Sequence, residues 1–279
     1  MKLRCTPAIP NPVHTLAYEP WELAIEPFQV APQTWYVSGQ TWVGSYLIDT
    51  GDGLILIDTA IPESLYLLVD SIYKLGYKPT DIKKILLSHA HFDHCGAVRA
   101  LKEMTGAEVY MSEEDTVFYK ECPEETLVID PDSHAQDFEV DHFYSDDTPV
   151  TLGNISIRTM LTPGHTIGCT SFFWNVKNPV TGETYTVAMH GGVGANTMND
   201  GYYAKSRYLK PELRDRFFAD AEKLKNIHVD IALPSHPNQI TITDVAGSYQ
   251  DEKQPYLDDT IWAQFIDERV RQVKVLMEK

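Results

Sequence analysis

Residues 88–96 read SHAHFDHCG, and they follow an apolar, strand-like run and precede a segment with helical periodicity. In a loop that leaves a strand, alternate residues face one side, so His89 and His91 are expected to point together. The turn that follows is expected to direct Asp93 and His94 toward a second metal position. Imidazole and carboxylate groups together suit zinc. One loop cannot fill two coordination spheres, so the pattern predicts further ligands elsewhere. The four candidate ligands in the loop are His89, His91, Asp93 and His94.

Two later histidines have the sequence context of such ligands. His165 lies in TPGHTIG directly after a predicted strand, where Gly164 and Gly168 allow close backbone approach. His236 lies in ALPSHPN, also after a predicted strand, between two prolines that stiffen the turn. Ligands at the ends of successive strands point to one edge of a layered fold, so we expect all six side chains to converge there.

Strand and helix patterns alternate along the first half of the chain, which predicts a sheet covered by helices. Asp52-Gly53 is a hairpin signal between two of the strands. Residues 112–148 are acidic and predict a helix followed by a long surface loop. The sequence contains no linker, so we expect one domain over residues 1–279. Its predicted margins are an extended, proline-rich arm at 1–32 and an amphipathic helix at 258–279.

The charge balance narrows the range of partners. The 279 residues include 23 Lys and Arg against 40 Asp and Glu, for a formal net charge of −17. Such a surface repels phosphate backbones and anionic lipid, so we expect a small-molecule substrate and neither nucleic acid nor membrane as a partner. The first residues lack an apolar signal-peptide core, which predicts a cytoplasmic protein. A periplasmic or secreted location would follow if the chain were a trimmed mature form. The oligomeric state stays open.

Three motifs, HAHFDHCGA, PGHTIGCTSFFW and LPSHP, resemble the metallo-β-lactamase superfamily in order and spacing. Within it the chain is most similar to the third subclass of class B β-lactamases, through EPFQVAPQTWYVSG and the lack of a bridging Asp or ligand Cys in mid-chain. The resemblance covers about residues 26–237 and implies an α/β fold, an αββα sandwich of two mixed β-sheets flanked by helices. It implies two Zn²⁺ ions: one is bound by His89, His91 and His165, and the other by Asp93, His94 and His236.

The chemistry expected of this centre needs no Ser or Cys nucleophile. Zinc lowers the pKa of its bound water to roughly 7, so hydroxide is available at neutral pH. Asp93 is the predicted catalytic residue, since it orients that hydroxide and moves a proton. Thr166 is expected to orient an imidazole, and both Cys95 and Cys169 are expected to be small buried residues.

The substrate contacts are expected in the segment that follows the predicted strand TYTVAMH. His190 stands where many superfamily hydrolases carry a bridging Asp, and a packed histidine is the alternative interpretation. The predicted substrate-binding residues are His190, Asn196, Thr197, Tyr202 and Tyr203.

The favoured function is hydrolysis of the amide of β-lactam antibiotics, and thus antibiotic resistance. One alternative is a hydrolase of another ester, lactone or thioester, such as an acyl-homoserine lactonase. The serines that serve third-subclass β-lactamases are not evident in GGVGANTM, which counts against β-lactam specificity, whereas the bridging Asp usual in the alternative hydrolases is absent as well. A second alternative is a non-catalytic zinc-binding protein.

Overall fold

The computed structural model describes residues 2–6, 15, 18–127 and 137–278. In these ranges the chain forms two β-sheets with helices on their outer faces. The strands are β1 (Phe28–Ala31), β2 (Thr34–Tyr36), β3 (Tyr46–Asp49), β4 (Leu54–Ile57), β5 (Ile82–Leu86), β6 (Glu108–Met111), β7 (His142–Phe143), β8 (Val150–Leu152), β9 (Ile155–Leu161), β10 (Thr170–Lys177), β11 (Thr184–Met189) and β12 (Ile231–Leu233). The α-helices are α1 (Leu65–Lys74), α2 (Phe92–Cys95), α3 (Val98–Thr105), α4 (Glu113–Glu121), α5 (Asp200–Tyr203), α6 (Glu212–Lys225) and α7 (Ile261–Met277). Short 3-10 helices span Pro20–Leu23, Pro62–Ser64, Pro79–Asp81, Pro123–Glu125, Ala195–Thr197 and Ile242–Val245.

The first sheet has the order β1-β2-β3-β4-β5-β6-β7. Its first four strands form an antiparallel meander, and β4 to β7 are parallel. The turn between β3 and β4 uses Gly51 and Gly53, whose φ angles of 80° and 122° suit glycine and disfavour other residues. Strand β4 is buried along its whole length, as expected of a central strand covered on both faces.

The second sheet has the order β12-β11-β10-β9-β8, with β12 parallel to β11 and the others antiparallel. The inner faces of the two sheets share one apolar core that contains Tyr36, Ile57 and Phe172. Helices α1, α3 and α4 cover the first sheet, and α6 and α7 cover the second. The predicted αββα sandwich is therefore confirmed.

The margins differ from the sequence-based expectation. Strand β1 begins inside the segment predicted to be an extended arm, because Phe28 stacks on Tyr36 at 4.9 Å between ring centroids. Residues 7–14 and 16–17 of that arm lie outside the described residues, as do residues 128–136 of the acidic loop. Strand β7 lies in the predicted loop. Helix α7 falls within the predicted 258–279, and none of the described helices is long and apolar enough to cross a membrane.

The strands that matter for the site end at a common edge. Strands β4 and β5 are parallel neighbours in the first sheet, and β9, β11 and β12 run in one direction in the second. The backbone N–H of Thr170 donates to the Ser88 carbonyl at 2.9 Å, which joins the two sheets at this edge. The residues that follow these strands therefore meet.

Candidate metal centre

The six predicted ligands come together at this edge. His91 Nδ1 lies 2.9 Å from His165 Nε2, and His94 Nε2 lies 3.3 Å from His236 Nε2. Asp93 Oδ2 lies 3.5 Å from Nε2 of both His94 and His236. Two compact groups result: one contains His89, His91 and His165, and the other contains Asp93 and His94 with either His89 or His236.

The rings of His165 and His236 are oriented by oxygen acceptors. His165 Nδ1 lies 2.7 Å from the Gly194 carbonyl and 2.8 Å from Thr197 Oγ1. A Cβ on Gly194 would stand 2.5 Å from the His165 ring, so only glycine brings its carbonyl this close. His236 Nδ1 lies 2.8 Å from the Trp42 carbonyl. With the proton on Nδ1, each Nε2 turns its lone pair toward the cluster.

The rings of His89 and His94 are oriented in the same way by Ser88 and Asp58, two residues that the sequence analysis did not identify. His89 Nδ1 lies 3.0 Å from Ser88 Oγ, and His94 Nδ1 lies 2.7 Å from Asp58 Oδ2. Asp58 directly follows β4, and its backbone adopts a left-handed conformation with φ 58°. Its carboxylate also accepts hydrogen bonds from Ser88 N and Ser88 Oγ, at 2.7 Å each. Burial raises the pKa of Asp58 to about 8, and the two Ser88 donors oppose that shift. A cation beside His94 would favour the Asp58 carboxylate.

We expect Asp58→Asn to raise the zinc Kd by about 10–100-fold, the usual cost of losing a partner that orients a metal-binding histidine. An amide cannot accept from all three donors that converge on Asp58, so the His94 ring loses its fixed position. A chelator competition titration on metal-free protein measures the change, with the exposed Asp52→Asn as the matched control. Equal zinc affinity in Asp58→Asn and Asp52→Asn would contradict this role.

Asp115 is a second residue that the sequence analysis missed. It is fully buried, and its carboxylate accepts from Ala90 N at 2.8 Å, Thr166 Oγ1 at 2.7 Å and Gly168 N at 2.7 Å. Thr166 therefore acts on the ligand loops through Asp115 rather than through an imidazole directly. A Cβ on Gly168 would stand 2.5 Å from the Asp115 backbone nitrogen, which explains the glycine predicted to allow close approach. The carboxylate joins the two loops that carry His89–His94 and His165.

The cluster strongly favours neutral imidazoles. Burial, followed by repulsion from neighbouring histidines, lowers the pKa of His89 and His91 well below the usual value. Burial likewise lowers the pKa of His165 to about 3 and raises the pKa of Asp93 to about 7. Neutral imidazoles are the form that binds metal.

The donor set fits zinc. His89 Nε2 and His91 Nε2 are buried and have no hydrogen-bond partner among the described residues. An unpaired buried polar atom is costly, and a cation accepting the His89 lone pair removes that cost. Three imidazoles in one group, and two imidazoles with a carboxylate in the other, are ligand sets that suit zinc.

The cluster forms the floor of a cavity of about 620 Å³. Of the predicted substrate contacts, Asn196 lines this cavity, while His190, Thr197, Tyr202 and Tyr203 are not among the described residues that line it. His190 is buried, and its Nδ1 accepts from Gly192 N at 3.2 Å, which corresponds to the packed alternative. Thr197 contacts His165 instead, because its hydroxyl donates to the His165 carbonyl at 2.7 Å. The Tyr202 hydroxyl donates to the Glu125 carbonyl at 3.2 Å.

The predicted cysteines behave as small buried residues. Cys95 and Cys169 are buried free thiols. Cys169 Sγ lies 3.0 Å from Thr166 Oγ1, and neither thiol belongs to the two ligand groups of the cluster. They fill space next to the ligand loops, as expected.

Comparisons with known proteins agree with this geometry. Residues 43–178 match the family model of the metallo-β-lactamase superfamily. The solved subclass B3 metallo-β-lactamase of Bradyrhizobium japonicum superposes with a TM-score of 0.82 at 28% identity, over 94% of this chain and 97% of that one.

Curated relatives match over shorter regions. A probable polyketide biosynthesis zinc-dependent hydrolase of Bacillus subtilis is 28% identical over 139 residues, which are 48% of this chain and 55% of that protein. An N-acyl homoserine lactonase of a Bacillus species is 28% identical over 153 residues, 45% of this chain and 55% of that protein. The chain thus spans about half the length of these curated relatives.

The fold and the histidine-aspartate cluster define a metal-dependent hydrolase. The match to the family model and the structural similarity over 94% of the chain identify the family of hydrolases. Residues 43–178 form a metallo-β-lactamase superfamily domain, and the structural similarity to a subclass B3 enzyme extends over 94% of the chain.

Proposed function

We propose that the protein is a di-zinc hydrolase that cleaves the amide bond of β-lactam antibiotics. The observation that carries this proposal is the pair of adjoining ligand groups at the floor of one cavity. Support comes from the similarity, over 94% of the chain, to a subclass B3 metallo-β-lactamase. Resistance to these antibiotics would be the physiological consequence.

Each ligand group is suited to one ion. His89, His91 and His165 would hold the first zinc, and Asp93, His94 and His236 the second. Bound zinc supplies a Lewis acid that polarises the scissile carbonyl and makes water a nucleophile at neutral pH. The ligand side chains are largely buried, and burial strengthens the electrostatic interactions among them.

The protein's own contribution to the chemistry is positioning and proton transfer. Asp93 Oδ2 lies 3.5 Å from Nε2 of both His94 and His236, which places the carboxylate beside the reacting groups as a candidate proton carrier. In the hydrolysis a bond forms between the water oxygen and the carbonyl carbon, and the carbon–nitrogen bond breaks. The Asp93 carboxylate would take the proton from the attacking water and deliver it to the leaving nitrogen.

A hydrolase of another ester, lactone or thioester is the second candidate. The lactonase among the relatives favours it, and residues 191–198 lack the serines expected of third-subclass β-lactamases. The cavity lining also includes apolar side chains, among them Leu127 and Val193, which suit an acyl group of either substrate class.

A metal-dependent substrate panel tests the proposal. We expect two zinc ions per chain by elemental analysis, and hydrolysis of nitrocefin that a chelator abolishes and added zinc restores. An N-acyl homoserine lactone and an acyl thioester make up the rest of the panel. Turnover of the lactone or thioester without nitrocefin would select the second candidate. Zinc-independent turnover, or a protein that takes up no zinc, would overturn both.

A further inference from the structure

The loop that carries His236 (residues 236–241, the His236 loop) is held from two sides. On the side that precedes it, the Tyr46 hydroxyl of the first sheet donates to the Pro234 carbonyl at 2.7 Å. Within the loop, the Gln239 backbone N–H donates to the His236 carbonyl at 2.9 Å and closes a turn. The rest of the loop belongs to no strand of either sheet, so the support on its far side comes from another part of the chain.

That support is the N-terminal segment, residues 3–6. The main-chain contacts between the two segments join Arg4 to Thr241, Cys5 to Ile240 and Thr6 to Gln239. The hydroxyl of Thr6 adds a further bond to the Asn238 carbonyl. Leu3 is buried in the core between the sheets, which anchors the segment at its other end. The N-terminal segment thus serves the His236 loop as a partner strand would.

Arg269 holds the N-terminal segment from the opposite side. This arginine lies on the buried face of α7 together with Phe265, and it is only 2% exposed. Its Nη2 donates to the Thr6 carbonyl, and its guanidinium lies 5.3 Å from the Phe265 ring centroid. Thr6 therefore bonds to the His236 loop through its N–H and hydroxyl, and to α7 through its carbonyl.

A buried arginine is an unusual choice for a residue that only fills the core. The ion pairs of arginine among the described residues involve other arginines, such as Arg271 with Glu268 at 2.7 Å. Replacing a buried charge by an apolar side chain of similar volume is often neutral or stabilising for a fold. A long apolar side chain cannot, however, donate a directed hydrogen bond to the carbonyl of Thr6.

The charge of Arg269 has an effect on the metal centre that opposes the effect of its position. Arg269 and His236 line the same cavity. A positive charge beside a cation site repels the cation, so the charge alone would weaken zinc binding. Fixing the His236 loop would strengthen zinc binding, because a ligand that is already in place loses less freedom when the ion binds. The two effects therefore have opposite signs and can be told apart.

We propose that Arg269 is a positioning residue that fixes the His236 loop through Thr6 and so holds His236 in place for the second zinc. The effect on the ion rests on the proposed di-zinc function, whereas the fixing of the loop requires no metal. The loops that carry the ligands of the first zinc are joined by Asp115 instead. The first zinc should accordingly be independent of Arg269.

Zinc titration of the metal-free protein against a competing chelator tests this selectivity. We expect Arg269→Met to raise the Kd of one of the two ions by about 10-fold, the lower end of the range for losing a residue that orients a ligand, and to leave the other unchanged. Loss of the charge alone would lower the Kd instead. Arg269→Lys should restore most of the affinity, because an ammonium can still donate to the Thr6 carbonyl.

Two further variants identify the ion and control for charge. In a His236→Ala background, Arg269→Met should have no further effect on the ion that remains, because both changes act on the same zinc. Arg4→Met is the matched control, since it removes a guanidinium that is 71% exposed from the N-terminal segment and keeps the main-chain bonds. It should bind both ions as the wild-type protein does.

Hydrogen exchange of the metal-free protein tests the loop itself. We expect Arg269→Met to accelerate exchange in residues 236–241, where the Thr241 amide is bonded to the Arg4 carbonyl, and to leave residues 88–96 unchanged. Thr6→Val removes the hydroxyl bond to the loop but keeps Arg269, and it should produce the same pattern more weakly. Should Arg269→Met fail to fold, the exchange and zinc affinity of Thr6→Val decide.

The outcomes separate this inference from the proposed function. Equal weakening of both ions would show that Arg269 supports the fold as a whole, and tighter binding would show that only its charge matters; either result overturns the inference. Unchanged exchange in residues 236–241 also overturns it. A wild-type protein that binds a single zinc contradicts the di-zinc function, whereas faster exchange of the His236 loop in Arg269→Met would still support the positioning role.

Discussion

His89→Ala and Asp93→Ala are each expected to lower zinc-dependent hydrolysis by about 1,000-fold or more while the fold survives. Loss of a residue that merely orients a ligand already costs about 10–100-fold, and loss of the ligand itself costs more. Asp93→Ala additionally removes the carboxylate that takes the proton from water. The measurements are turnover of the best substrate in the panel and zinc content per chain.

Folding is expected to survive because neither side chain forms a bond on which the apolar core depends. His89 Nε2 is buried without a hydrogen-bond partner among the described residues, and Asp93 Oδ2 lies 3.5 Å from two other candidate ligands, His94 and His236. His142→Ala is the matched control, since His142 is an exposed histidine on β7 whose Nε2 lies 3.4 Å from Glu108. Circular dichroism should be unchanged in all three variants. Full activity in either ligand variant would refute the site.

The sequence could predict the convergence of the six candidate ligands because strand ends bring distant residues together. His89, His165 and His236 each follow a strand, and parallel neighbouring strands place their carboxyl ends at one edge. The six residues therefore converge over nearly 150 positions without any local contact. The αββα architecture followed from the resemblance and from the alternation of strand and helix patterns.

The residues that support the ligands could not be predicted in the same way. Asp115 accepts chiefly from backbone N–H groups, and such partners leave no pattern of side-chain types in the sequence. Asp58 bonds to Ser88 and His94, which lie at least 30 positions away, so no local spacing marks them as its partners. Asp115 lies in the first turn of α4, where acidic residues usually stabilise the helix dipole on the surface. The position of Asp58 could have been noticed in the sequence, since it directly follows the fully apolar strand LILI, as the candidate ligands follow other strands.

The C-terminal helix carries a charged residue on the face that its sequence pattern predicts to be apolar. The predicted buried stripe of Ile261, Phe265 and Val273 passes through Arg269 at the same spacing. A charged residue at that position of an amphipathic helix conflicts with its periodicity, and such conflicts mark functional or strained positions. Of the predicted substrate contacts after β11, Asn196 alone lines the described cavity, because the orientation of loop side chains depends on backbone geometry that periodicity does not encode.

Asp115→Ala is expected to destabilise the protein by about 4 kcal/mol, the largest effect on folding among these predictions. The variant leaves the buried N–H groups of Ala90 and Gly168 without an acceptor, and each such loss costs about 1–3 kcal/mol. The hydroxyl of Thr166 loses its partner as well. Urea unfolding of the zinc-free protein measures the change without the contribution of metal binding.

Asp115→Asn distinguishes hydrogen bonding from packing, because it preserves the shape of the side chain. Oδ1 accepts from Gly168 N, and Oδ2 accepts from Ala90 N, so either orientation of an amide leaves one backbone N–H facing an NH₂ group. We therefore expect a loss of about 1–3 kcal/mol, less than for alanine. Zinc affinity should fall in both variants, since Asp115 joins the loop of His89–His94 to the loop of His165. Equal stability in the wild-type and Asn proteins would show that the shape of the side chain, and not its three accepted bonds, holds the two ligand loops together.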